Sequence, residues 1–172
     1  MAEVPSVLIS TLTRVHAFMQ SRGLACYVVG GLVRDQRLGR PLRYLNVDLA
    51  VPSGALAASR DLAAELGGAF VPLHDAAGTA RVVVTAEGQR LELDVSDFRG
   101  ATLEDDLGHR DFTINAIAAA LADWLRNPAT PALIDPRDGQ GALARRELRA
   151  CFPGTFEDDP VRILRAFRFV AE

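Results

Sequence analysis

Apolar and polar positions follow two rhythms along this chain. Leu8, Leu12, Val15 and Met19 recur at helical spacing, which predicts a helix capped by Ser6, running to about Arg22 and stopped by Gly23. The apolar run Leu24 to Val29 predicts a strand. A short helix follows over Leu32 to Leu38 and is broken by Gly39-Arg40-Pro41. Val47 to Val51 alternates and reads as a second strand. Residues 55–66 form an alanine-rich helix ended by Gly67-Gly68.

Three further strands are expected over Ala69 to Leu73, Ala80 to Thr85 and Arg90 to Val95, with Ala86-Glu87-Gly88-Gln89 as the hairpin turn between the last two. In the third, Leu91, Leu93 and Val95 share one face, and Arg90, Glu92 and Asp94 share the other. From Leu103 the pattern is helical, broken near Gly108 and resumed from about Thr113 to Leu125. Asn127 to Pro131 is a loop, and Leu133-Ile134-Asp135-Pro136 ends a short extended piece. A last helix starts near Asp159-Pro160 and runs to the C-terminus. This order predicts an α+β fold, a mixed sheet with helices on one side, rather than the regular alternation of a doubly wound sheet.

The length of 172 residues fits one domain, or one domain plus a fragment of a second, and 49% hydrophobic content supports a real core. A net charge of −3 argues against a surface that grips long stretches of nucleic acid backbone; any RNA would be held by an end. Cys26 and Cys151 lie far apart and outside any Cys-x-x-Cys pair, which excludes zinc and redox motifs and points to a reducing compartment. The N-terminus lacks the features of a signal peptide and no apolar run reaches membrane-spanning length, so the expected location is the cytoplasm.

The chemistry concentrates in a few stretches. Gly30-Gly31-Leu32-Val33-Arg34-Asp35 follows the first strand. A Gly-Gly turn lets backbone N–H groups approach a phosphate, and Arg34 adds a cation one helical turn on. No Gly-Lys-Ser or Gly-Lys-Thr follows, so it is not a P-loop. Asn46 and Asp48 share one face of the second strand, opposite Val47, Leu49 and Val51. Oxygen side chains at this spacing suit Mg²⁺ that also holds triphosphate oxygens. Asp94, on the polar face of a later strand, is a candidate third carboxylate, set against an ordinary solvated residue near Arg90 and Arg99; Asp97 faces the other way.

His109-Arg110-Asp111-Phe112-Thr113-Ile114-Asn115-Ala116 offers Arg110 for a phosphate and Asp111 or Asn115 for a ribose or base, beside the plain alternative of helix capping by Asp111 or Thr113. In the last helix Arg162, Arg165 and Arg168 form one ridge that Asp159 begins. Three arginines in line suit a triphosphate, and an Asp/Arg pair suits a base edge. The apolar arc formed by Val161, Ile163, Leu164, Phe167, Phe169 and Val170 is wide for a surface helix and calls for a second packing partner.

These stretches, in this order, resemble the class II template-independent RNA nucleotidyltransferases: CCA-adding enzymes, their CC- and A-adding relatives, and bacterial poly(A) polymerases. Gly-Gly-Leu-Val-Arg-Asp with Asn46-Val47-Asp48 resembles the first motif. Asp105-Asp106-Leu107 with Arg110 to Ala116 resembles the second. Ile134-Asp135-Pro136 is similar to a linker segment, and Asp158 to Ala166 to the helix that selects the nucleotide. The resemblance implies a DNA-polymerase-β-like head over residues 1–150 and the start of a helical neck over 151–172. It implies Mg²⁺-dependent attack of an RNA 3′ hydroxyl, most naturally that of tRNA, on the α-phosphate of ATP or CTP. Gly30, Gly31, Arg34 and Arg110 would then contact the triphosphate. Asp159 and Arg162 would read the base, with Arg165 and Arg168 in support, and Asp48, Asn46 and Asp94 would hold metal.

Two departures stand out. The first motif normally ends Asp-x-Asp, and here Asn46 supplies a carbonyl oxygen without a full charge, after a slightly longer stretch than usual. Two readings therefore stay open: a competent transferase, and a weakened or inactive nucleotide- or RNA-binding module on the same head. Family members also continue into neck, body and tail helices that hold tRNA. The expectation is thus that further C-terminal domains, or a second subunit, pack on the last helix.

Overall fold

The computed structural model describes residues 4–42 and 44–171. Six strands, β1 (Tyr27–Val29), β2 (Leu45–Val51), β3 (Ala69–His74), β4 (Thr79–Ala86), β5 (Gln89–Asp97) and β6 (Ala118–Ala120), form one mixed sheet in the order β3-β4-β5-β2-β1-β6. β2 and β5 run parallel, with Asp48 directly beside Asp94. The other pairings are antiparallel.

Helices α1 (Ser6–Ser21), α3 (Ala55–Leu66) and α5 (Leu121–Arg126) pack on one face of this sheet. Val47, Leu49 and Val51 of β2 and Leu91, Leu93 and Val95 of β5 point into that layer and are fully buried. Each such side chain contributes about 1.5–3 kcal/mol. The same period-2 geometry sends Asn46, Asp48 and Asp94 to the other face. A slip of one residue in either strand would drive an aspartate into the core, so the burial of the aliphatic set fixes where the polar set stands. The opposite face carries only a small second core, where α4 (Leu103–Gly108) and Cys151 meet Val29, Ala50 and Ala118. The rest of that face is an open floor.

Helices α2 (Gly31–Arg37) and α8 (Val161–Ala171) border this floor, while α6 (Gly139–Arg145) packs through Ala142 against Phe112 and Ile114, and α7 (Thr155–Asp158) leads into α8. The β4–β5 hairpin turns through Glu87 and Gly88, both with positive φ, as a tight two-residue hairpin requires. Gly67 ends α3 in the left-handed conformation.

The structure corrects several sequence expectations. Ser6 is the first residue of α1 and not its cap; Pro5 takes the cap position and no side chain caps the helix. The first strand covers Tyr27–Val29 only. The helix expected over 113–125 is instead a single 3₁₀ turn at Thr113–Asn115, strand β6, and α5. Alanine favours helix locally, but Ala118–Ala120 pairs along β1 and Ala118 also bridges Ile134, so sheet pairing overrides propensity. α6 and α7 carry no strong periodicity and were not expected. Both cysteines are free and buried; burial pushes the Cys26 thiol up to about 12 and that of Cys151 up to about 11, so neither is an activated nucleophile. Among the described residues no helix is long and apolar enough to cross a membrane.

Candidate active site

The open face of the sheet is the floor of a cleft of about 620 Å³, walled by α2, the Arg110–Asn115 segment and α8. Every residue singled out from the sequence lines it: Gly30, Gly31 and Arg34; Asn46, Asp48 and Asp94; Arg110, Asp111 and Asn115; Asp159, Arg162, Arg165 and Arg168. Seven arginines and four aspartates face this one space, in a chain whose net charge is −3. The local excess of positive charge fits a polyanionic ligand far better than the whole molecule does.

At the floor, Asp48 and Asp94 are register neighbours on parallel strands, and Asn46 stands two residues before Asp48. Burial pushes the Asp48 carboxyl above the usual carboxylate range; Arg110 pulls it back, Asp94 pushes it further up, and Arg165 and the Gly31 backbone N–H pull it down. The alternative of an ordinary solvated Asp94 paired near Arg90 or Arg99 does not hold. Asp94 is gripped by Arg81 from β4, whose Nε lies 2.7 Å from Oδ1 and whose Nη2 lies 2.8 Å from Oδ2. Arg90 pairs with Glu92, and Arg99 with Asp106. Asp97 accepts the Ala55 N–H at the start of α3, on the other side of the sheet.

Among the described residues, no three His, Cys, Asp or Glu side chains are grouped to hold a metal ion. The floor offers two carboxylates and the Asn46 carboxamide. This all-oxygen set fits a hard cation such as Mg²⁺, which keeps water and substrate oxygens in its remaining positions.

Gly30 joins floor to wall. It sits at φ +70° at the cap position of α2, and a Cβ there would lie 3.1 Å from the Asp48 carboxylate and 3.7 Å from Arg110. Gly30→Ala is therefore expected to lower stability by about 1–3 kcal/mol, from backbone strain alone. It should also crowd Asp48. Thermal melts check the first effect and nucleotide binding the second.

The wall is a set of arginines held by carboxylates. Asp106 is completely buried and accepts from Arg110 at 2.9 and 3.1 Å, with Arg99 at 3.5 Å. Arg34 is nearly buried, donates to the Asn115 side chain at 2.6 Å and pairs with Asp35 at 2.9 Å, so it is no ordinary surface residue. Asn115 donates in turn to Asp111 at 3.1 Å. Asp111 also accepts from the Phe112 N–H, which orders a turn rather than capping a long helix, and from Arg165 at 2.7 and 2.8 Å.

Burial raises the Asp111 carboxyl, but the Arg165 guanidinium and the bonds from Asn115 and Phe112 outweigh it and hold it below the usual range. A lowered carboxylate stabilises the fold above its ordinary pKa and loses that contribution as pH falls through the lowered value. Acid should thus loosen α8 from the head only below the ordinary aspartate range. Asp111→Asn should loosen it at neutral pH, by about 1–2 kcal/mol given that Arg165 is partly exposed. Proteolysis of α8 followed against pH measures both.

On α8, Arg162 lies 2.9 Å from Asp158 and 3.9 Å from Asp159, and it donates to the Thr155 carbonyl. Asp159 also accepts the Val161 N–H at the helix start. Phe169 packs edge-on against Phe112, with the guanidinium groups of Arg34, Arg165 and Arg168 at 5.0, 5.6 and 4.8 Å from its ring. Val161, Leu164, Phe167 and Val170 are exposed, so the wide apolar arc is only partly covered. The cleft also contains Thr79, Arg81 and Ser96, which the sequence pattern does not mark, and Arg99 and Phe169, which it reads only as a neighbour of Asp94 and as part of the apolar arc. Parity on β4 and β5 places Arg81 and Ser96 on the polar face, but only the strand order shows that this face meets Asp48.

The poly(A) polymerase head domain matches residues 26–149 of the chain. The CC-adding tRNA nucleotidyltransferase of Geobacter sulfurreducens is 41% identical over 170 residues, which cover 99% of this chain and 35% of that protein. The A-adding tRNA nucleotidyltransferase of Deinococcus radiodurans is 43% identical over 145 residues, covering 83% of this chain and 29% of that one. The Thermotoga maritima CCA-adding enzyme complexed with tRNA superimposes with a TM-score of 0.78 at 34% identity, over 96% of this chain and 38% of the other. The chain spans about a third of the length of the curated relatives it matches. It belongs to the poly(A) polymerase head family, the nucleotidyltransferase group that its motifs resemble.

Proposed function

From that membership we propose that this chain is the nucleotidyl-transferring head of an enzyme that adds cytidine or adenosine to an RNA 3′ end, with tRNA as the natural acceptor. The convergence of the Asn46, Asp48 and Asp94 oxygens with the arginine wall in one cleft carries the reading. Asp48, Asp94 and the Asn46 carbonyl would hold Mg²⁺, which when bound neutralises the triphosphate and the charge that develops on it. Arg34 and Arg110 bind the triphosphate, each pre-oriented by a fixed partner, Asn115 and Asp106. The RNA 3′ hydroxyl gives up its proton to water and attacks the α-phosphorus, a new P–O bond forms, the bond from the α-phosphorus to the bridging oxygen breaks, and pyrophosphate leaves with its electron pair.

Asp159 and Arg162 line the same cleft, where a base edge meets one acceptor and one donor in place of a template. Residues 151–172 are the start of the neck, and the partly covered arc of α8 is the face on which the remaining helices pack. The cytoplasm, where tRNA and nucleoside triphosphates coexist, is the location this chemistry calls for.

The test is incorporation of labelled CTP and ATP, separately, into tRNA lacking its terminal nucleotides, with and without Mg²⁺. Mg²⁺-dependent extension of the RNA supports the reading. Binding of either nucleotide with no extension, by this chain and by Asn46→Asp alike, would contradict it.

A further inference from the structure

The Asp94 carboxylate is already occupied. Arg81 holds it with two parallel bonds of 2.7 and 2.8 Å, and the same guanidinium reaches Glu92 at 2.7 Å through its remaining nitrogen. All three residues lie on the open face of the sheet, because Arg81 and Asp94 are opposed in the antiparallel β4–β5 register and Glu92 is two residues before Asp94. Asp94 is in turn the register neighbour of Asp48, and Arg81 lines the cleft beside both.

Two aspartates side by side repel unless a cation stands near them. Arg110 and Arg165 act on Asp48, and Arg81 is the cation bonded to Asp94. It has a second anchor on Glu92, so it can release Asp94 without leaving its place or losing its ion pair. Glu92 is also tied to Arg90 at 2.8 Å, which fixes that anchor.

Resting on the reading that a divalent cation binds at this floor, we propose that Arg81 is a positioning residue that acts as a latch on Asp94. It holds the carboxylate in place when no cation is bound, and cedes it to the cation while remaining paired with Glu92. Because Asn46 has no charge, Asp94 is the residue that makes the second full ligand charge available, and Arg81 decides when. The cation and the guanidinium thus compete for one carboxylate, and cation affinity without nucleotide is held down by Arg81.

The probe is Mn²⁺ alone, titrated into the chain and followed by the loss of its free electron paramagnetic resonance signal, with circular dichroism melts to show that each variant is folded. Arg81→Gln removes the competitor and is expected to tighten Mn²⁺ roughly tenfold. Arg81→Lys keeps the charge but not the two-pronged grip, and should fall between it and the unaltered chain. Adding Asp94→Asn to Arg81→Gln should erase the gain.

Unchanged or weaker Mn²⁺ binding in folded Arg81→Gln would overturn the latch, as would a gain that survives Asp94→Asn. The floor itself is tested separately by Asp48→Asn. If Mn²⁺ binds the unaltered chain and Asp48→Asn abolishes it, the cation site stands even where the latch fails. If neither the unaltered chain nor Arg81→Gln binds Mn²⁺ at all, both fall.

Discussion

Asp48→Asn is expected to lower nucleotide incorporation by about a thousandfold or more while leaving the affinity for CTP or ATP within a few-fold. Asp48 is the one full charge that β2 contributes to the floor, flanked by Asn46 on its own strand and Asp94 on the next. Its replacement leaves Asp94 alone, and Asp94 is shared with Arg81. The arginine wall does not depend on Asp48: Arg110 is held by Asp106, Arg34 by Asn115, and Arg165 by Asp111. Binding of the triphosphate therefore survives while the step that needs charge at the α-phosphate fails. The substitution also relieves a partly buried carboxylate whose burial is unfavourable, so the variant should be at least as stable as the parent. Single-turnover incorporation and equilibrium nucleotide binding, measured side by side, check the split. Equal losses in both would mean that Asp48 shapes the cleft rather than the reaction.

Asn46→Asp should act in the opposite direction, raising incorporation on the order of tenfold to a hundredfold. Asn46 is exposed, lines the cleft two residues before Asp48, and already presents an oxygen. The substitution changes charge without changing shape. A hard cation that holds its waters tightly gains most from a full carboxylate, and the gain appears where negative charge builds up in the transition state. It should tighten Mg²⁺ and lift the rate with little change in nucleotide affinity. A Mg²⁺ titration of incorporation by both forms reads the two effects together. A rate that stays flat as the Mg²⁺ requirement falls would assign Asn46 to cation capture alone.

The floor of the site is legible in the sequence because alternation and chemistry agree on both strands. Val47, Leu49 and Val51 had to face a core, so Asn46 and Asp48 could not. The arginine ridge of α8 was legible for the same reason at helical period. What the sequence could not show was pairing at a distance. Arg81 looks like any strand arginine until β4 is laid against β5 and its guanidinium meets Asp94. Asp106 reads as one of three adjacent helix acids, Glu104, Asp105 and Asp106. Only the packing of α4 shows that it is fully buried beneath Arg110 and Arg99. The alanine-rich stretch from Ala116 to Ala120, interrupted by Ile117, departs from its helical expectation for a physical reason. Its local preference is helical, and the free edge of β1 takes it as a strand. The start of the last helix was anticipated to within a residue or two, because Asp159-Pro160 is a strong local stop and start signal that needs no tertiary partner.

The central claim, that floor and wall converge on one cation-bound triphosphate, is tested most directly by anomalous diffraction from crystals of the chain grown with Mn²⁺ and a non-hydrolysable CTP or ATP analogue. The account predicts a manganese peak between the Asp48 and Asp94 carboxylates, with the triphosphate running from it toward Arg110 and Arg34. A triphosphate bound elsewhere on the surface, or in the cleft with the manganese away from both aspartates, would contradict it.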